Sequence, residues 1–333
     1  MKIVTLEEHI IDQGLTGASR GAILRVAPYY AFSLGKDLPY FPDFKAYADI
    51  ADYRIADMDR HGIDMQILSC PAESGLLDGG PETQSLARAV NDKMASAVKA
   101  HPDRFGAFAA LAWGDPVSAA DELRRAVGEL GMCGAMIAGR PDPGARFLDD
   151  PFYDPVLSAA EELGVPIYIH PGTPHPDVQR VYYDRLEQEL SARLSVFGWG
   201  WHNEAGIQVL RMILSGCFER HPRLQIISGH WGEFVPYYLT RLDQALPKEC
   251  TKLSRSITQT YKEHIYVTPS GIFDYPSLRF VIDTVGADRI LHSVDFPLVT
   301  NDGARAFLED APISDSQKEM IAWDNAAKLL KLR

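Results

Sequence analysis

A closed (β/α)8 barrel of the TIM type, built as one α/β domain with long active-site loops after strands 1 and 5, is the fold this sequence predicts. Two observations carry the expectation. Eight short apolar runs recur along the 333 residues, each followed by a stretch of helical periodicity. Such alternation implies parallel strands joined by helical crossovers, and a count of eight matches a closed ring. No internal repeat, linker or low-complexity segment divides the chain, so residues 1–333 read as a single domain. An open doubly wound sheet is the alternative, but no G-x-G-x-x-G follows the first strand.

The first run, Lys2–Leu6, leads into Glu7-Glu8-His9. A segment rich in aromatics, Gly and Pro then occupies 10–50; it includes Tyr29, Tyr30 and Phe32 and reads as active-site cover or subunit contact. Helix Asp52–His61 turns Ile55 and Met58 inward and stops at Gly62. Strand Ile63–Ser69, a Gly/Pro-rich loop, helix Glu82–Ala100, strand Phe105–Leu111, a helix from Pro116 to Leu130 and strand Met132–Ile137 follow. The second half keeps the pattern. Helix Pro155–Leu163 leads to strand Pro166–Ile169, a second long loop over 171–201 with a helix of its own, helix Asn203–Arg220 and strand Leu224–Ser228. Helix Glu233–Leu246 and a further helical stretch precede strand Ile265–Thr268; helix Tyr275–Val285, strand Arg289–Ser293 and closing helices over 302–333 end the chain.

Composition excludes several function classes. A hydrophobic content of 46% with 23% charged residues is that of a globular domain with ample core. The net charge of −12 argues against nucleic-acid or anionic-membrane partners, which need concentrated positive charge. The four cysteines show no C-x-x-C spacing, and three lie beside apolar segments, as reduced core thiols would. With no leader pattern at the start and no long apolar run, a cytoplasmic location is expected.

Chemistry-bearing residues gather at strand ends. Glu7 and His9 are two apart, so on a regular strand they project to one side. Later apolar runs end in His170, His230 and, after His292-Ser293-Val294, Asp295. In a parallel barrel the carboxyl ends of the strands share one mouth, where active sites form. A single such ending is ordinarily a turn cap; four in one chain point to a shared site. Mixed oxygen and imidazole donors suit a divalent ion such as Zn²⁺ or Mn²⁺.

The Glu-x-His of strand one, Ile-Tyr-Ile-His-Pro at 167–171, Gly-His-Trp-Gly-Glu at 229–233, Ser-Val-Asp-Phe-Pro at 293–297 and Gly-Trp-Gly-Trp-His at 198–202 together resemble the amidohydrolase superfamily. Within it, the opening Glu-x-His, where hydrolases usually carry His-x-His, resembles the metal-dependent, non-oxidative decarboxylases of phenolic acids, such as the γ-resorcylate, 2,3-dihydroxybenzoate and 5-carboxyvanillate enzymes. The resemblance implies that Glu7, His9, His170 and Asp295 bind one divalent ion. It implies that His230 and Glu233 form a dyad beside the substrate, a spacing at which the carboxylate can orient the imidazole. A hydroxylated aromatic acid would bind through its carboxylate and ortho oxygen, with Asp295 as the proton donor to carbon.

Arg54 and Arg241 resemble positions that help bind substrate carboxylates in some relatives, in places across a subunit boundary, which fits a homodimer or homotetramer. Trp199, Phe296, His175 and His202 are further candidate substrate contacts. His292 stands where relatives carry an apolar residue and reads as a core histidine satisfied by a backbone group. His61, His101, His221 and His264 read as helix-terminal groups, and Glu8, pointing away from its neighbours, as support behind the site. The same metal ligands would also serve a hydrolase of an ester, amide or lactone that uses a metal-activated water. A non-catalytic descendant is a further alternative, and the complete ligand set speaks against it.

Overall fold

The structure, a computed structural model, describes residues 1–18, 44–71, 78–142 and 144–332. Tyr29, Tyr30 and Phe32, and with them most of the first long loop, lie outside the described residues.

Among the described residues all strand pairings are parallel and fall in two sheets. One contains β1 (Val4–His9), β2 (Met65–Ser69) and β3 (Phe105–Ala107). The other contains β4 (Ala109–Ala110), β5 (Ala135–Ala138), β6 (Ile167–His170), β7 (Ile226–Ser228) and β8 (Ile265–Val267). The single strand expected over Phe105–Leu111 is thus split at Phe108. Phe108 N–H bonds back to Leu68 O, whereas Ala109 N–H bonds forward to Gly134 O, so the chain passes from one neighbour to the next at this point.

The strand expected over Arg289–Ser293 likewise differs. It forms two isolated parallel bridges, Val267↔Ile290 and Leu6↔Ser293, rather than a ladder. Its few residues divide their bonds between two neighbours: Leu291 N–H donates to Val267 O and Leu6 N–H to His292 O.

Helices lie between the strands, and their ends follow from sequence. Pro116 opens Pro116–Gly128 after Asp115, whose carboxylate accepts from Val117 and Ser118 N–H. Ser256 and Gln259 form a capping box for Ile257–His264. Gly62 ends Asp52–His61 at φ 67°, a left-handed conformation that suits glycine. The expected helix over Asn203–Arg220 is two helices, Gly200–Leu214 and Cys217–Arg220, parted by the left-handed Gly216. The 171–201 loop carries two short helices, Pro176–Tyr182 and Gln188–Ser195.

The buried side chains form two layers. The larger joins strand residues such as Leu68, Ile137 and Ile169 to helix residues such as Leu123, Val156 and Val209. The second draws Leu6, Ile67, Phe108, Met136, Tyr168, Ile227 and Leu291 together, and Ala326 and Leu330 of the last helix pack on it. Among the described residues no helix is long and apolar enough to cross a membrane.

Candidate metal centre and its dyad

The site begins with a break in the regular alternation of β1. Thr5 pairs with Gln66 but Glu8 with Leu68, so Leu6 and Glu7 together oppose one residue of β2. This bulge puts Glu7 at φ 66° and re-aims its side chain. Glu7 is fully buried. Its Oε2 accepts from the Tyr168 hydroxyl at 2.6 Å and from the Ser270 hydroxyl.

His9 Nδ1 lies 2.8 Å from Ser69 Oγ, and His170 Nδ1 lies 2.7 Å from Pro171 O. A carbonyl only accepts, so His170 carries its proton on Nδ1 and keeps a lone pair on Nε2. That nitrogen is 3.7 Å from Glu7 Oε1, and His9 Nε2 is 2.9 Å from Asp295 Oδ1. One donor atom each from Glu7, His9, His170 and Asp295 all lie within 4.8 Å of one another.

Glu7 Oε1, His9 Nε2 and Asp295 Oδ1 are buried without a hydrogen-bond partner. Orphaned buried polar atoms each cost about 1–3 kcal/mol, and three converging on one point fit a cation. The charges agree with this. Burial, with Asp295 beside it, lifts Glu7 to about 7 even though His230 and His9 pull the other way. Burial and the neighbouring His9 and His230 hold His170 well below its ordinary range, and hence neutral. These four residues fit a divalent ion by donor type, proximity and burial.

The dyad sits beside them. His230–Glu233 is a turn in which His230, Trp231, Gly232 and Glu233 all have positive φ. His230 Nδ1 is 2.7 Å from Glu233 Oε1. Burial pushes the His230 imidazolium down, but Glu233, through charge and hydrogen bond, with Glu7 and Asp295, outweighs this and holds it at about 9. The carboxyl of Glu233 is driven up by burial and, more strongly, down by His230 and His202, and ends below its usual value. Of the ten described non-glycine residues with positive φ, seven are here: Glu7, His230, Trp231, Glu233, Phe234, Ser270 and Asp295. Such conformations are uncommon outside glycine and persist only where surrounding contacts impose them.

The remaining candidates are dispersed. Arg54 is fully buried behind β1, where Nη2 donates to His9 O at 2.6 Å and Ala46 O at 3.2 Å and Nη1 to Gln66 Oε1. Its guanidinium is committed to these two carbonyls and the Gln66 side chain and lies over the Phe296 ring, which differs from the substrate contact expected of it. Phe296 is buried there too. Glu8 faces the same side and accepts from Val294 and Phe296 N–H. His175 caps Pro176–Tyr182 by accepting from Asp177 N–H, Trp199 is exposed against Phe234, and Arg241 is exposed on Val235–Ala245. His292 is buried with Nε2 on Ala304 O.

Sequence reasoning passed over Ser69, Tyr168 and Ser270, which hold the site's donors. Tyr168 was discoverable, because it precedes His170 by two on one strand; the serines carry no local signal. His202, one of the candidate substrate contacts, has its Nδ1 2.9 Å from Glu233 Oε2.

Residues 38–332 match the family described as amidohydrolase. The chain belongs to the amidohydrolase family. Within that family it is 37% identical to the γ-resorcylate decarboxylase of Polaromonas sp., over 99% of this chain and 98% of that one. Among solved structures it is similar to a dihydroxybenzoic acid decarboxylase from Polaromonas sp. with bound manganese and the inhibitor 2-nitroresorcinol, at TM-score 0.86 and 34% identity, covering 99% and 97% of the two chains. It is also similar to the 5-carboxyvanillate decarboxylase of Sphingomonas paucimobilis, at TM-score 0.88 and 31% identity over 100% and 99% of the chains. The resemblance to the decarboxylase branch, carried in the sequence by a few motifs, thus extends over the whole chain.

Proposed function

We propose that this amidohydrolase is a carboxy-lyase: a metal-dependent, non-oxidative decarboxylase of a hydroxylated aromatic acid of the ortho-hydroxybenzoate type. The observation that carries the reading is the convergence of Glu7, His9, His170 and Asp295, with orphaned donor atoms, beside the His230–Glu233 pair. Relatives named as decarboxylases of such acids, one with manganese bound, support it.

Glu7, His9, His170 and Asp295 would hold one divalent ion, Zn²⁺ or Mn²⁺. When bound, the ion supplies Lewis acidity toward the carboxylate and ortho oxygen of the acid. The chain's own residues do the rest. Ser69, Tyr168, Ser270 and the Pro171 carbonyl fix the donors in advance. Asp295 passes its proton to the ring carbon that bears the carboxylate. The new C–H bond takes a ring electron pair and aromaticity is lost; the C–C bond then breaks, its electrons return to the ring, and CO₂ departs. His230, tied through Nδ1 to Glu233, offers Nε2 to the acid and holds a proton at its oxygen.

We read the strands as one closed (β/α)8 ring within a single domain over 1–333. The two bridges at Ile290 and Ser293 and the inner apolar layer support this. Buried free Cys70, Cys133 and Cys217 support a reducing, cytoplasmic setting. Exposed Tyr182, Leu190 and Trp199 support a homodimer or homotetramer.

The test is metal content together with CO₂ release from a panel of ortho-hydroxybenzoates, before and after chelation. Release that vanishes with the metal and returns with Zn²⁺ or Mn²⁺ is the expected result. Bound metal with no CO₂ from any member, and hydrolysis of an ester or lactone instead, would overturn the reading.

A further inference from the structure

We propose that His202 is a positioning residue: through the hydrogen-bonded chain Trp201–His202–Glu233–His230 it fixes the Glu233 carboxylate and so aims His230 Nε2. What His230 faces rests on the decarboxylase reading; the chain itself does not.

The direction of each bond follows from donor chemistry. The indole N–H of Trp201 can only donate, and it lies 3.1 Å from His202 Nε2. That nitrogen is therefore the acceptor, and the imidazole proton sits on Nδ1, 2.9 Å from Glu233 Oε2. The Phe197 carbonyl, 3.2 Å from the same Nε2, would need the other tautomer, which sets two N–H groups against each other. Glu233 Oε1 meets His230 Nδ1 at 2.7 Å. Both oxygens of a buried carboxylate are thus engaged, one by each imidazole, and it has no free rotation left. The same reasoning argues against His202, His230 and Glu233 as a second metal site, although they cluster, since His202 Nδ1 donates to Glu233 and its Nε2 lone pair is taken by the Trp201 N–H.

The scaffold is built to hold His202 in place. Its helix, Gly200–Leu214, is clamped by the buried pair of Arg140 Nη1 and Glu204 Oε1 at 2.6 Å. At Gly206 the helix touches the dyad's turn: a Cβ there would lie 2.5 Å from Glu233 O. The residue that orients the carboxylate and the carboxylate itself therefore ride on two elements in direct backbone contact.

The test uses the full-length, metal-loaded protein and three variants. His202→Ala removes the donor, His202→Asn restores a donor near the Nδ1 position, and Trp201→Phe removes the indole N–H. For His202→Ala we expect kcat to fall about 10- to 100-fold at one metal per chain and unchanged KM, and His202→Asn to recover most of it. Nitrogen NMR of the imidazoles gives a readout free of turnover: His202 should be the Nδ1–H tautomer in the wild type, and Trp201→Phe should mix the tautomers. A raised KM with kcat intact, a fall in metal stoichiometry, no rescue by Asn, or a wild-type Nε2–H tautomer would each overturn the proposal. If no acid is decarboxylated by the wild type, the function reading fails while the tautomer measurement still decides the role of His202.

Discussion

His9 Nε2 and Asp295 Oδ1 lie 2.9 Å apart and neither makes a hydrogen bond. One comes from the end of β1 and the other from the loop that follows the last bridging residues, so two distant parts of the chain hold these atoms toward a common point. His9→Ala should take metal content from one ion per chain to near zero. Elemental analysis after gel filtration checks this, and full retention of metal would remove His9 from the ligand set.

Asp295→Asn separates binding from proton transfer. The amide keeps an oxygen donor but has no carboxyl proton to give, so the variant should fold, retain part of its metal and lose about 100- to 10,000-fold in turnover. Near-native kcat would refute the proton-donor role.

Stability of the metal-free protein should fall as pH rises from 6.5 to 8. Burial lifts Glu7 to about 7 and Glu8 to about 8, the latter against the Val294 N–H and Arg54, while His230 sits at about 9. Groups with folded values above their unfolded ones bind protons more tightly in the native state, so their stabilisation is lost as pH rises through the folded value. His170 and His292, shifted downward by burial, act oppositely, but only below about 6.5. Metal, which favours ionised Glu7, should raise the melting temperature more at pH 8 than at 6.5. Calorimetry with and without metal tests the sign; an apo-protein more stable at pH 8 contradicts it.

Arg54→Lys should destabilise the fold by about 3 kcal/mol, because an ammonium cannot replace a guanidinium that bonds His9 O, Ala46 O and Gln66 at once beside Glu8. Denaturant titration measures the loss. If Arg54 instead contacted substrate, KM would rise and stability would hold.

Much of the site was legible because chemistry and strand ends coincide: Glu7, His9, His170 and Asp295 each follow an apolar run, and the three-residue spacing of His230 and Glu233 survives in their 2.7 Å contact. What was hidden depends on backbone departures that no periodicity records. The bulge at Leu6–Glu7 and the left-handed turn at 230–234 decide where side chains point, and both violate regular alternation. Arg54 looked like a site cation because burial cannot be seen in a helix's first turn, where charged residues are usually exposed. The strand at 289–293 had the right apolar run yet yields only bridges, since it shares few bonds between two neighbours.

The seam between Leu6 and Ser293 sets an order of events in folding. Glu7 and Ser293 are 286 residues apart, and the Glu7 donor set is complete only once both chain ends have met. Loop-closure entropy makes such a contact a late one. A cation that needs both ends then binds only the finished molecule, acting as a clasp: it cannot rescue a nascent chain, but by mass action it slows the reopening of the seam and penalises any truncated product that lacks the bridging segment at 290–293.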